Sequence, residues 1–294
     1  MSPVLINPLV DYAFKKVLGD PGTPDILLDF INTFLHLQPP ISQVEIQNPF
    51  NPQDFDNDKL TVVDVKATDE HGRLYQIEVQ LQTHAALPER ALYSWARTYA
   101  NRIGKGNDYQ ALRPTFSIWI LDALVFPDSP RVHHRFRLMD REAGMHLTDH
   151  VEIHMLQLPR FQPTTPLDDE GRWVYFLKEA RNWTTLPPSL DRPALRRAMD
   201  KLDDIRQSTA DRLRYLARED YLLLQATLER SRRETEEGLA LAKAQLAQVQ
   251  EQAAQAQEQV VQAQEQAAQA LRDAAAREEH LRARLRAAGL DPDA

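Results

Sequence analysis

The chain has 294 residues, 43% of them hydrophobic, no cysteine and a sequence pI near 5.6. That length allows one or two domains with a sizeable core, and the lack of cysteine excludes disulfides and thiolate zinc sites. The net charge is −8, with 15 Lys and Arg against 20 Asp and Glu in residues 1–160, which argues against holding nucleic acid by bulk charge alone. No apolar run approaches the ~18 residues of a membrane span, and no charged n-region leads into an apolar h-region, so a cytoplasmic protein with no membrane segment is expected.

Residues 8–18 read as a short helix, with Asn7 as N-cap, Pro8 as first helical residue and Gly19 as the stop. Val10, Phe14, Val17 and Leu18 form its apolar stripe. Asp11 lies off that stripe, where the helix dipole favours a first-turn acid. A second helix over 24–37 buries Leu27, Leu28, Ile31, Phe34 and Leu35, and Pro39-Pro40 ends it. Ile41–Ile46 reads as a strand, and 49–58 as a polar loop.

Two β-rich runs follow, Leu60–Ala67 and Leu74–Leu81, around the turn Asp69-Glu70-His71-Gly72. Asp64 sits inside the first run and Glu78 inside the second, although carboxylates are depleted in strands and costly to bury. A turn closing near 70–71 sets Asp64 opposite Glu78, and period 2 puts Gln80 on the same face as Glu78. Two readings are open: an edge hairpin with a solvated face, or a divalent cation between the two like charges.

A third helix is expected over Leu87–Ile103, closed by Gly104 and Gly106. Arg90, Tyr93, Arg97 and Asn101 share one face, while Leu92, Trp95 and Tyr99 read as core. The charged face is either solvated, with Arg–Glu pairs such as those of Glu89, or a surface for backbone phosphates. Thr115–Phe126 reads as a buried central strand, with further strands over Arg131–Asp140 and Val151–Leu158. His133 and His134 point to opposite faces of their strand and cannot share an ion, and His150 and His154 carry no partner motif.

Residues 160–192 read as a linker and then a helix near Trp173–Trp183. One or two helices follow over 193–233, with Leu213, Tyr215, Leu216, Tyr221, Leu222 and Leu224 as apolar contacts. From about 236 to 286 the chain is dominated by Ala, Gln, Glu and Arg in seven-residue repeats. Position a holds Leu239, Leu246, Ala253, Val260, Ala267, Ala274 and Leu281. Position d holds Ala242, Val249, Ala256, Ala263 and Ala270. This is a coiled-coil pattern that predicts a homo-oligomer; a lone solvated helix of high alanine propensity is the other reading.

The order Asp64, hairpin, Glu78-Val79-Gln80 resembles the PD-(D/E)XK nuclease superfamily. More narrowly, it is similar to the recombination-promoting nuclease (Rpn) group, also called PD-(D/E)XK nuclease family transposases. The run Asp11–Gly19 resembles that group's opening, and Arg90–Ser94 through Gly106-Asn107-Asp108-Tyr109 resembles its helix after the hairpin. The likeness spans roughly residues 5–160.

It implies an α/β fold of the restriction-endonuclease-like type, a mixed sheet flanked by helices, over residues 1–160. A linker and helical segment over 161–235 and the coiled coil over 236–294 would follow. It also implies a Mg²⁺-dependent DNA endonuclease, a hydrolase whose cuts promote recombination or transposition. Asp64, Glu78 and the Val79 carbonyl would hold Mg²⁺ or another divalent cation, with Asp11 as a further acidic candidate. Gln80 stands where the superfamily usually has Lys; it can orient a water but adds no positive charge. Lys66 is a substitute for that charge. DNA would be the partner, met by Arg90, Tyr93 and Arg97. The alternative is a nuclease fold without turnover, acting as an assembly or DNA-binding module through its coiled coil.

Overall fold

Alternating side chains in the strands build a sheet with two different faces. The structure is a computed structural model, and residues 4–55, 65–82, 86–104 and 108–287 are described. The chain divides into two compact units, Met1–Ala226 and Thr227–Ala294. In the first unit, α1 (Asp11–Leu18) and α2 (Pro24–Leu35) precede β1 (Val44–Ile46), β2 (Val65–Asp69) and β3 (Leu74–Gln80). Next come α3 (Leu87–Ala100), β4 (Thr115–Leu121), β5 (His133–Arg137), β6 (Met139–Asp140), β7 (Met145–His146) and β8 (Val151–Gln157). Helices α4 (Asp169–Glu179), α5 (Pro193–Gln207) and α6 (Thr209–Ala287) complete the order.

Six strands form one mixed sheet in the order β1-β2-β3-β4-β8-β5, and β6 pairs with β7 as a separate ribbon. The β1/β2, β2/β3 and β5/β8 pairs are antiparallel; β3/β4 and β4/β8 are parallel. Such a sheet needs cover on both faces. On one face Val65, Ala67, Tyr75, Ile77, Phe116, Ile118, Ile120 and Leu156 join a large core with α1, α2, α4 and α5. On the other, Trp119, Leu121, Ile153 and Met155 pack with Leu87 and Ala91 of α3.

The hairpin turn is where the sequence predicts it. Gly72 adopts φ +72°, a backbone state that strains any residue with a Cβ. Asp69 Oδ1 accepts from the His71 and Arg73 amides at 2.9 and 2.8 Å, and the Tyr75 hydroxyl donates to Asp69 Oδ2 at 2.7 Å. Val65 stands opposite Ile77, the register expected for Asp64 opposite Glu78. Asp64 itself, with most of the Leu60–Ala67 run, lies outside the described residues, as do Gly106 and Asn107.

Several expectations need correction. Asn7 caps no helix: α1 starts at Asp11, and the Asn7 side chain accepts from the Leu9 amide at 3.0 Å in the turn before it. Leu92 is 56% exposed, and Leu213 and Leu224 are also exposed; in α3 the inward stripe is Leu87, Ala91 and Trp95, one position out of phase with Leu92. The strand expected over Arg131–Asp140 divides into β5 and β6, and β6 pairs with β7 in a ribbon of its own. Helices α4 and α5 belong to the same core as the sheet.

His154 also has partners that no local motif announces. His133 Nε2 and His154 Nδ1 are 2.8 Å apart, across the β5/β8 pair. His133 Nδ1 is 3.0 Å from Glu170 Oε2, and His154 Nε2 is 2.9 Å from Glu152 Oε1. Burial pushes His154 down to about 4, although Glu152 works to raise it and the His133 charge adds to the lowering. An unfolded histidine titrates near 6.5, so between about 6.5 and 4 the unfolded chain binds more protons. Stability must therefore fall as pH drops through that window. Urea midpoints across it should show a steeper decline for the wild type than for His154→Gln; equal slopes would exclude His154 as the group responsible.

Candidate active site

Helix α3 crosses over the β3 strand with its polar stripe facing the strand's polar face. Leu74, Gln76, Glu78 and Gln80 alternate with the core residues Tyr75, Ile77 and Val79. On α3, the stripe Arg90, Ser94 and Thr98 follows the i, i+4 spacing of one helix face, and Arg102, in the turn after the helix, continues it. The two rows meet rung by rung. Arg90 Nη1 donates to Gln80 Oε1 at 3.3 Å, and Ser94 Oγ donates to Glu78 Oε1 at 2.9 Å. Thr98 Oγ1 donates to Gln76 Oε1 at 2.9 Å, and Arg102 Nη2 donates to the Gly72 carbonyl at 2.5 Å.

Glu78 is the acid in this ladder. Its side chain is 12% exposed. The Gln76 amide donates to Glu78 Oε1 at 2.5 Å and lies 2.8 Å from Ser94 Oγ, so Gln76, itself buried, joins two rungs. The Arg90 guanidinium lies 3.9 Å from Glu78 Oε2 and 5.7 Å from the Trp119 ring centroid. A buried carboxylate is costly unless hydrogen-bonded and paired with charge; Gln76, Ser94 and Arg90 meet that need.

The structure thus brings Glu78, Gln80 and Arg90 together. Val79 points its side chain toward the large core. Tyr93 is 65% exposed on the outer face of α3, and Arg97 is exposed where α3 lines a cleft with Lys66 and Thr68 of β2. Asp11 is in a different setting: it is buried in α1 and forms an ion pair with Arg218 of α6. Its Oδ1 also accepts from the Tyr12 amide at 2.8 Å. Burial pushes the Asp11 carboxyl up, with the Arg218 charge and hydrogen bond pulling the other way. Among the described residues there is no group of three or more His, Asp or Glu placed to hold a metal ion.

The sequence reading missed Gln76, Ser94 and Thr98. The signal was present in two places. Gln76, Glu78 and Gln80 form an unbroken polar row in a strand, and Ser94 and Thr98 continue the polar edge that Arg90 starts at i, i+4 beside the apolar Leu87, Ala91 and Trp95.

A mixed sheet flanked by helices, with an acid-bearing hairpin at its second and third strands, fits the core of a PD-(D/E)XK nuclease. A family model described as PD-(D/E)XK nuclease family transposase matches residues 8–227, and the chain belongs to this family. The match runs to the end of the first compact unit. No curated protein and no solved structure matches the chain. Membership implies DNA as the substrate class, and nucleases of this kind typically use divalent cations. Among the described residues no helix is long and apolar enough to cross a membrane.

Proposed function

We propose that the chain is a divalent-metal-dependent DNA endonuclease, hydrolysing phosphodiester bonds in support of recombination or transposition. The observation that carries this reading is Glu78, a nearly buried carboxylate held by Gln76 and Ser94 beside Arg90 and Gln80, in a chain of nuclease family. The donors fit a hard cation: a carboxylate and a backbone carbonyl are the oxygen ligands that Mg²⁺ accepts, usually with waters and substrate phosphate completing the set. In this reading Glu78, Asp64 and the Val79 carbonyl hold the ion.

A cation bound there supplies Lewis-acid stabilisation of the phosphate charge and a lowered pKa for bound water. The chain's own residues do the rest. Gln76 and Ser94 fix the Glu78 rotamer. Gln80 orients a water through its amide, but it supplies no positive charge in place of the usual lysine. Arg90, with planar donors suited to phosphate oxygens, steadies the scissile group, and Tyr93 and Arg97 contact the DNA from α3.

The test is nicking of supercoiled plasmid by the purified full chain with Mg²⁺, with Mn²⁺ and with EDTA, alongside Asp64→Ala. Nicking that requires the cation and disappears in the variant is expected. Nicking that survives Asp64→Ala would remove that residue from the site, and an inert wild type would favour the assembly role.

The second unit supports self-association as a further part of the proposal. Leu239, Leu246, Val260 and Leu281, all at a positions, are each more than half exposed on α6. A coiled coil with another copy would bury this seam, although its many alanines limit the apolar area gained. Truncation after residue 235 should lower the mass seen by light scattering to that of a monomer; a monomeric full chain would sink the idea.

A further inference from the structure

The second unit carries an exposed apolar seam, and the charges beside it decide which way a second copy can run along it. On α6 the a residues Leu239, Leu246, Val260 and Leu281 and the d residue Val249 are each more than half exposed. Continuing the seven-residue count puts Arg277 and Arg284 at d, Lys243 and Glu278 at e, and Asp273 at g. These charged side chains are exposed as well. A guanidinium at d stands inside the seam, where it meets whatever side chain the partner presents.

Two copies running parallel and in register set each seam residue against its own counterpart. Arg277 would face Arg277, and Arg284 would face Arg284. A parallel pair also brings each g position beside the e position of the next heptad in the other helix, so Asp273 would face Glu278 on both sides of the seam. Each of these meetings is between like charges, which works against the pairing. The layers would differ in width too. Leu246 against Leu246 needs more room than Ala253 against Ala253, and one interaxial distance cannot suit both.

Reversing one copy removes every one of these conflicts. An antiparallel pair sets a against d across the seam and brings e beside e. In the register that places Ala253 against Ala270, Val249 meets Ala274, Val260 meets Ala263 and Leu281 meets Ala242. Each bulky residue then faces a small one, and a single close separation suits these layers. Arg277 and Arg284 face Leu246 and Leu239, which their aliphatic stems can cover while the guanidinium groups reach water. Lys243 comes beside Glu278 of the other copy, on both sides of the seam. We propose that α6 binds a second copy of this chain antiparallel and in this register, a proposal that rests on the self-association reading above.

The chain has no cysteine, so introduced thiols report the direction without background. Full-length Ala253→Cys and Ala270→Cys chains are brought to equilibrium in a glutathione redox buffer, each alone and co-expressed. The co-expressed chains should form a mixed disulfide dimer. Each variant alone should stay unlinked, because like thiols of an antiparallel pair lie about 25 Å apart, far beyond the ~7 Å that a disulfide spans. Links within each variant and none between them would overturn the antiparallel direction. The flanking charges give an independent sign. Glu278→Lys should raise the dimer dissociation constant about tenfold, since two attractive contacts become repulsive. Lys243→Glu/Glu278→Lys should restore it, although the bond from Arg282 to Glu278 within one helix is lost in both variants. Tighter or unchanged association of Glu278→Lys counts against the proposal, because a parallel pair would gain from it at Asp273. A wild-type chain that is monomeric in light scattering removes the self-association reading as well; a dimer with the wrong links removes only the direction.

Discussion

Replacing Glu78 with glutamine should reduce plasmid nicking to below about a thousandth of the wild-type rate, with no loss of fold. The shape and one hydrogen-bonding oxygen survive the change, so the ladder to Ser94 can still form. The negative charge is gone, and with it the main protein ligand among the described residues that the proposed cation would have. Gln76→Ala separates holding the carboxylate from supplying it. Here Glu78 keeps its charge and loses one donor, and outer-shell losses of this kind typically cost about 10–100-fold. The cation concentration giving half-maximal rate should rise with it, a readout that a general loss of stability would not move. Undiminished cleavage by Glu78→Gln would remove this residue from the chemistry.

Arg218→Ala should be the most damaging single change to the stability of the first unit. The Asp11 and Arg218 side chains are only 6% and 13% exposed. Removing one partner leaves the other charge buried, which costs about 3–5 kcal/mol. For a unit of this size that lowers the melting temperature by roughly 10 °C. Asp11→Asn/Arg218→Met should recover much of the loss, because neither charge is then stranded. A melting temperature within about 2 °C of wild type for Arg218→Ala would show the pair to be solvated in practice. The same variants address Asp11 as a cation ligand: if it serves as one, Asp11→Asn raises the cation requirement for nicking, and if its role is only the ion pair, that requirement stays put.

What the sequence revealed follows from the range of the forces involved. The hairpin turn is local chemistry, in which Asp69 folds its side chain onto the next amides and Gly72 takes a positive φ, and both were legible. The polar face of β3 was legible from period 2 alone. Contacts that need a third dimension were not. Ser94 and Thr98 gain meaning only once α3 is laid against β3 in one alignment. His133 finds His154 through the β5/β8 register, and Arg218 reaches Asp11 across 207 positions of chain. Leu92 illustrates the opposite error: an apolar residue in a helix was assigned to the core, when the stripe set by Leu87 and Ala91 passes it by. For Asp64 the described strand stops one residue short, so its place in the site rests on sequence and family.

The contact between α3 and β3 behaves as a vernier. Each rung advances two residues along the strand, about 6.6 Å, and four along the helix, about 6.0 Å. The scales agree closely enough for rungs at Gln80, Glu78 and Gln76; the next strand position is Leu74, which has no polar side chain, and Arg102, just past the end of α3, donates instead to the Gly72 carbonyl of the turn. Length changes are constrained accordingly. Deleting one residue of α3 before Ser94 turns the rest of the helix by about 100°, carrying Ser94 and Thr98 off the strand together. Only paired changes, two residues in β3 with four in α3, keep the graduations aligned, so this segment should tolerate substitutions far better than insertions or deletions.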